Sequence, residues 1–194
     1  MNWDILIRSF VTYLKIERSL SINTIESYSN DLNKLANFLK PKSISALKVR
    51  LNDLKGFITS ISEILSETSQ SRIISSIKSF YKFLLIENLI QSDPSENLVS
   101  PKIARKLPNV LTVEEINLII KSFGSNHIEI RNKAIIEIIY GCGLRVSELT
   151  NLLLSNLFLN QGYIKIVGKG NKERLTPIGS KAIESLNNYL TNVR

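Results

Sequence analysis

The chain has 194 residues, 43% of them hydrophobic, which is enough for one or two compact domains and excludes a disordered polypeptide. Its 25 Lys+Arg against 17 Asp+Glu give a net charge of +8 and a pI near 9.6, a balance that suits a polyanionic partner better than an acidic small molecule. The single cysteine, Cys142, cannot form an internal disulfide, and Asp4, Arg8, Lys15, Glu17 and Arg18 break up the first residues, so no disulfide scaffold, apolar leader or membrane span is expected and a cytoplasmic location is.

In chain order, the first hundred residues read as four helices. Leu6, Phe10, Tyr13 and Leu14 recur at three- and four-residue spacing and give the first helix an apolar stripe ending near Ser19 to Ser21. Asn23, with Glu26 three residues on, is expected to cap the second, whose buried face is Ile25, Tyr28, Leu32, Leu35 and Leu39 up to Pro41. Leu51, Leu54, Ile58, Ile61 and Leu65 form the core side of a third. Ser69 is expected to cap the fourth, with Ile73, Ile77, Phe80, Tyr81 and Leu84 inward. On its opposite face Arg72, Ser75, Lys78, Ser79 and Lys82 project largely to one side, either an ordinary solvated surface or one that grips phosphates.

After Asp93-Pro94 the pattern breaks. Residues 101–109, carrying Lys102, Arg105 and Lys106 between prolines, read as a basic linker. Net charge divides as +5 up to Lys106 and +3 beyond it, so both halves suit one polyanion. Thr112 with Glu115 makes a capping box for a helix through Ile116, Ile119 and Ile120. Another helix is expected from about Glu129 to Gly141, with Ala134, Ile135, Ile138 and Ile139 inward, His127 in the loop before it and Gly143 in a left-handed conformation after it. A short helix containing Arg145 to Leu152 follows. The period then changes to alternation, giving three short strands at Leu157 and Leu159, Tyr163 to Val167 and Glu173 to Pro177, with a glycine-rich turn over Gly168 to Lys172 joining the last two. A final helix runs from Ser180 to Leu190.

Two segments carry chemistry. In Gly141-Cys142-Gly143-Leu144-Arg145-Val146-Ser147-Glu148-Leu149 an arginine directly follows a glycine-broken helix end, where a guanidinium can be held over a groove. In Val167-Gly168-Lys169-Gly170-Asn171-Lys172-Glu173-Arg174 a two-stranded ribbon projects flexible cations. Each has an ordinary alternative, Arg145 as an ion pair to Glu148 and Lys169 as a solvated turn residue. Gly168-Lys169-Gly170 lacks the spacing and helix context of a nucleotide-binding loop, which excludes nucleotide hydrolysis. Cys142 has no base arranged beside it and reads as a small packing residue.

Gly143-Leu144-Arg145-Val146-Ser147-Glu148-Leu149, followed 24 residues after the arginine by Lys169, resembles the first half of the catalytic domain of the tyrosine recombinases, or phage integrases, in their Xer subgroup. Thr24 to Leu32, Ser71 to Leu84, Asp93-Pro94-Ser95 and the linker up to Leu107-Pro108 resemble that family's N-terminal core-binding domain. The resemblance implies a mainly α fold with a small antiparallel β-sheet: a four-helix SAM-like core-binding domain over 1–100, a linker over 101–109 and part of an α+β catalytic domain over 110–194. It also implies duplex DNA as partner, neither cofactor nor metal, and strand cleavage and rejoining through a 3′-phosphotyrosyl intermediate. Arg145 then corresponds to the family's first catalytic arginine, whose planar fork can hold two non-bridging oxygens and whose loss costs about 3 to 4 kcal/mol of transition-state stabilisation. Lys169 corresponds to the hairpin lysine resembling a general acid for the leaving 5′-oxygen, a role worth ~10²–10⁴-fold, with Lys172 as the alternative. Candidate DNA contacts are Arg72, Lys78, Lys82, Lys102, Arg105, Lys106, Lys172 and Arg174.

The family's His-x-x-Arg segment, later histidine or tryptophan and nucleophilic tyrosine find no match. Tyr13, Tyr28 and Tyr81 lie on apolar faces of the first domain, and none of Tyr140, Tyr163 and Tyr189 is assigned as nucleophile. Family members act as tetramers on paired sites through a C-terminal docking helix that also has no match. The expectation is a recombinase shortened before its nucleophile, the alternative being a non-enzymatic DNA-binding remnant or regulator that occupies recombination sites. The 194-residue polypeptide should form no covalent adduct with a nicked recognition-site duplex; a protein–DNA band that survives denaturation would contradict this.

Overall fold

Short polar side chains ahead of apolar stripes set the helix boundaries. The computed structural model describes residues 2–103, 108–168 and 170–194. Helix α1 (Trp3–Ile16) is capped by the Asn2 side chain, which accepts the Asp4 backbone N–H, and buries Trp3, Leu6, Ile7, Phe10 and Leu14. The chain leaves it through Ser19, in the left-handed region at φ 47°, and enters α2 (Ile22–Leu39) under a cap from Ser21, not Asn23. Ser21 is extended and its hydroxyl accepts the Thr24 N–H, so Asn23 falls inside the first turn. The same shift occurs at α4 (Glu67–Ile86): Ser66 caps it by accepting the N–H of Ser69, the residue expected to cap. In both places a hydroxyl three residues upstream satisfies a donor the later residue leaves orphaned.

Helix α3 (Leu51–Ser62) is opened by Asp53, whose carboxylate accepts the Arg50 N–H at 2.8 Å. Its fully buried residues are Leu54 and Phe57, while Leu51, Ile58 and Ile61 are half-buried against the same core. Phe57 was absent from the stripe expected there, yet it packs on Phe38 of α2 with ring centroids 5.5 Å apart.

Contacts divide the chain into two units, Met1–Lys106 and Leu107–Arg194. An aromatic lattice centres the first. Phe80 of α4 meets Trp3 at 6.2 Å, Phe10 edge-on at 5.5 Å and Tyr81 at 5.3 Å, and the Trp3 indole N–H donates to the Ile44 carbonyl. Aromatic rings bury large apolar areas and gain from such tilted pairings.

In the second unit α5 (Val113–Ser122) opens with the expected box: the Thr112 hydroxyl accepts the Glu115 N–H, and the Glu115 carboxylate accepts the Thr112 N–H. Helix α6 (His127–Cys142) starts two residues earlier than expected because Asn126 and Glu129 form a second such box. His127 is therefore the exposed first residue of a helix and not a loop residue. Gly143, at φ 61°, ends α6 as expected, its N–H donating to the Ile139 carbonyl. After α7 (Val146–Thr150) the sheet has the order β1-β2-β3, all antiparallel, from β1 (Leu157–Phe158), β2 (Tyr163–Val167) and β3 (Glu173–Pro177). Leu159, expected in the first strand, instead begins a 3-10 turn over Leu159–Gln161, because the chain must reverse at Gly162, φ 73°, to pair β1 with β2. Ile164 and Ile166 alternate inward onto Ile138, Leu144 and α8 (Ser180–Asn192).

Phe80→Ala should destabilise the first unit by about 3 to 5 kcal/mol, since it empties the centre of that lattice. Equilibrium denaturation followed by tryptophan fluorescence checks it through Trp3, the chain's one tryptophan, which lies beside Phe80; a loss below about 1 kcal/mol, the level typical of volume-conserving swaps, would contradict the packing.

Candidate functional site

Arg145 lies between Gly143, which ends α6, and Val146, which begins α7, with extended backbone at ψ 151°. One turn on, the Glu148 side chain turns back to the start of α7 and accepts the Arg145 backbone N–H at 2.9 Å. The same carboxylate accepts from the Arg145 guanidinium at 3.0 Å and from two nitrogens of Arg174 on β3, both at 2.8 Å. Glu148 is thus bonded to a helix start and to two arginines, with its side chain 4% exposed. The two-point pairing to Arg174 is the geometry that makes arginine–carboxylate contacts strong and directional.

The arginines differ in what they leave free. Arg145 commits one terminal nitrogen and is 73% exposed, so most of its fork faces outward, whereas Arg174 commits two nitrogens and is 40% exposed. Among the described residues, every hydrogen bond of these two side chains goes to Glu148. Bonding first to Arg174, then to the Arg145 backbone N–H, holds the Glu148 carboxyl down to about 2, and Glu148 in turn pushes Arg174 upward.

The hairpin between β2 and β3 begins against this cluster. A Cβ added at Gly168 would lie 3.2 Å from both Glu148 Oε1 and Arg174 Nη1, so the backbone there approaches the pair too closely for an ordinary side chain without displacement. The Gly168 N–H donates to the Lys172 carbonyl at 2.8 Å, and Lys165 and Glu173 pair across the strands at 2.9 Å. Lys172 is exposed at the hairpin. Lys169 lies outside the described residues, as do Arg105 and Lys106 of the expected linker; Lys102 is exposed.

In the first unit, Arg72 on α4 pairs with Asp31 on α2, a carboxylate of 0% exposure, and donates to the Ser27 carbonyl at 3.3 Å. Burial raises the Asp31 carboxyl above its ordinary value, against the opposing pull of Arg72. Lys78 is half-buried and donates to the Glu96 carbonyl at 3.3 Å, and Lys82 is exposed. Sequence reading missed Asp31 altogether, since it sits between Asn30 and Leu32 with only its helical register, one turn from Ser27 and Leu35, to mark it as inward.

Cys142, Tyr81, Tyr163 and Tyr13 pack, whereas Tyr140 and His127 are exposed. Cys142 is buried, and burial pushes its thiol upward, away from the reactive thiolate. Tyr81 is buried with its phenol pushed strongly upward, first by burial, and its hydroxyl donates to the Ala46 carbonyl. Tyr163 stacks on Phe158 at 4.8 Å, and Tyr13 lies against Phe83 at 5.0 Å. Among the described residues no group of three or more His, Cys, Asp or Glu side chains is arranged to hold a metal ion, and no helix is long and apolar enough to cross a membrane.

Glu148 stability linkage has a definite sign. A carboxyl held below its ordinary value of 4.5 stabilises the fold above that pH and loses the contribution as pH falls toward about 2. Glu148→Gln should therefore lower the melting temperature of the second unit at neutral pH, and the gap from wild type should shrink between pH 4.5 and 2. Thermal melts across that range check it, and a gap independent of pH would contradict the pairing.

Two family models match the chain: "Phage integrase family" over residues 109–194 and "Phage integrase, N-terminal SAM-like domain" over residues 7–88. Tyrosine recombinase XerD of Chlorobaculum tepidum is 40% identical over 197 residues, covering 99% of this chain and 65% of that protein. XerD of Proteus mirabilis is 40% identical over 189 residues, covering 96% of this chain and 60% of that protein. The chain thus spans less than two thirds of the length of these curated relatives. Among solved structures, a lambda integrase dimer bound to a COC′ core site superposes with a TM-score of 0.75 at 16% identity, covering 96% of this chain and 68% of that one. The XerH site-specific recombinase bound to palindromic difH substrate gives 0.68 at 24% identity, covering 95% and 57%. At these identities the likeness is one of fold.

Proposed function

Because the chain belongs to the phage integrase family of tyrosine recombinases, and is of the Xer type, we propose that it serves site-specific DNA recombination by binding duplex DNA and presenting Arg145 and Lys169 to one backbone phosphate. The observation that carries this reading is the shared carboxylate. Glu148 ties the residue that follows α6 to the strand that follows the hairpin, so Arg145 and the root of the Lys169 turn stand on the same anchor. A phosphodiester in cleavage gains charge on its non-bridging oxygens. An outward, preorganised guanidinium stabilises that charge without reorganising in the transition state.

The division of labour follows the family. Residues 1–100 act as a core-binding domain that grips phosphates through Arg72, Lys78 and Lys82, the 101–109 stretch adds Lys102, Arg105 and Lys106, and residues 110–194 supply the catalytic cations. In the family's reaction a tyrosine attacks the phosphorus, the 5′-oxygen leaves with a proton, and a 3′-phosphotyrosyl link holds the strand until a 5′-hydroxyl reverses the step. Lys169 is assigned the proton and Arg145 the phosphoryl oxygens. Arg174, with its fork engaged on Glu148, is assigned to hold that carboxylate instead of contacting DNA itself, and Lys172 is left as the hairpin's second phosphate cation.

Duplex binding should weaken steeply with salt, because each neutralised phosphate releases counterions; six or more contacts imply a loss of roughly 10³-fold between about 50 and 200 mM. Lys82→Ala should lower affinity for all sequences alike and reduce the salt slope by about one. Fluorescence anisotropy with a labelled duplex measures both. Binding indifferent to salt, or absent at about 50 mM, would overturn the reading.

A further inference from the structure

We infer that Asp31 is a positioning residue that holds the Arg72 guanidinium at the surface between α2 and α4 as a preorganised contact for a backbone phosphate; this rests on the DNA-binding reading above. Asp31 is fully buried on α2, and Arg72 of α4 lies 41 positions away in sequence yet is its ion-pair partner. Among the described residues, Asp31 Oδ1 accepts no hydrogen bond and Oδ2 accepts from Arg72, its ion-pair partner, while Lys34 and Ser76 favour the charged carboxyl more weakly. A buried carboxylate with one ion-pair partner is poorly explained as a device for stability alone, since well-packed apolar side chains commonly do as well.

The guanidinium is arranged for outward work. A single terminal nitrogen, Nη1, makes both inward bonds, to Asp31 and to the Ser27 carbonyl, and the side chain is 42% exposed. The other nitrogens therefore carry N–H groups that neither of those bonds uses, on a planar fork suited to phosphate oxygens. Ser75 is exposed one turn along α4, and Lys82 is exposed further along the same helix. Fixing a long side chain in advance removes an ordering cost that a free surface arginine bears when it binds. Asp31 has an opposing effect too, because its negative charge offsets that of Arg72 at a distance. That charge is buried against the guanidinium and therefore little screened by salt, so the direction of the Asp31→Asn effect reads whether preorganisation outweighs it.

The test is a double-variant cycle on the full chain, using Asp31→Asn, Arg72→Gln and the pair, with duplex affinity measured at about 0.2 M salt and as a function of salt, and folding verified by circular dichroism. Asp31→Asn should weaken binding about five- to tenfold, the range expected when an ordering cost returns, with the salt slope unchanged because the cation remains. Arg72→Gln should weaken binding and lower the slope by about one, and adding Asp31→Asn to it should change affinity no further. Arg72→Lys keeps the charge without the fork, so it should weaken binding at constant slope; this variant decides the matter if Asp31→Asn does not fold. The inference is overturned if folded Asp31→Asn or Arg72→Lys binds within about twofold of wild type, or if Asp31→Asn costs the same with and without Arg72. Failure of the wild-type chain to bind duplex would instead remove the DNA-binding reading itself.

Discussion

A single carboxylate, Glu148, organises the second unit's chemical surface. Its oxygens accept a backbone N–H at the start of α7, one nitrogen of Arg145 and two nitrogens of Arg174. With 4% of its side chain exposed, it would be costly as a lone charge, and the arrangement is tolerated because its acceptor sites are met by charged or backbone donors. The outcome is directional. Arg174 is drawn inward, while Arg145 keeps most of its fork in solvent, at the point where the left-handed Gly143 lets the chain turn from one helix into the next.

The first unit repeats this logic with the polarity of elements changed. There the buried acid is on α2, the partner arginine is on α4, and the two helices are already joined by an apolar core that includes Leu32, Leu35, Ile73 and Ile77. Core packing supplies the rigidity, and the ion pair supplies the direction in which one cation points. In both units a buried acid decides which arginine nitrogens remain free: the Arg145–Glu148 ion pair named in the sequence analysis does form, whereas Asp31 carried no sequence signal beyond its helical register.

How much was legible in the sequence depended on whether the determining partner was local. Thr112 with Glu115 and the left-handed Gly143 were readable because the groups that satisfy each other lie within one turn. Strands β2 and β3 were readable from alternation alone, and Tyr163 to Val167 and Glu173 to Pro177 form them with matching bounds. Caps at Ser21 and Ser66 were misplaced by two and three residues because several hydroxyls and amides compete in Ser21-Ile22-Asn23 and Ser66-Glu67-Thr68-Ser69. Arg174 read as a free hairpin cation, and its attachment to Glu148 was invisible because the two are 26 positions apart and meet only when the sheet forms. Asp31 was missed for the same reason, its partner lying across the helix bundle.

The proposed function requires Arg145 and the hairpin to face one phosphate from a common anchor. A crystal structure of the chain bound to a short duplex tests this directly. The expected result is a single phosphate within hydrogen-bond reach, about 3 Å, of both the Arg145 guanidinium and the Lys169 ammonium, with Glu148 still bonded to Arg145 and Arg174. Those two cations engaging separate phosphates, or Arg145 turned away from DNA altogether, would contradict it.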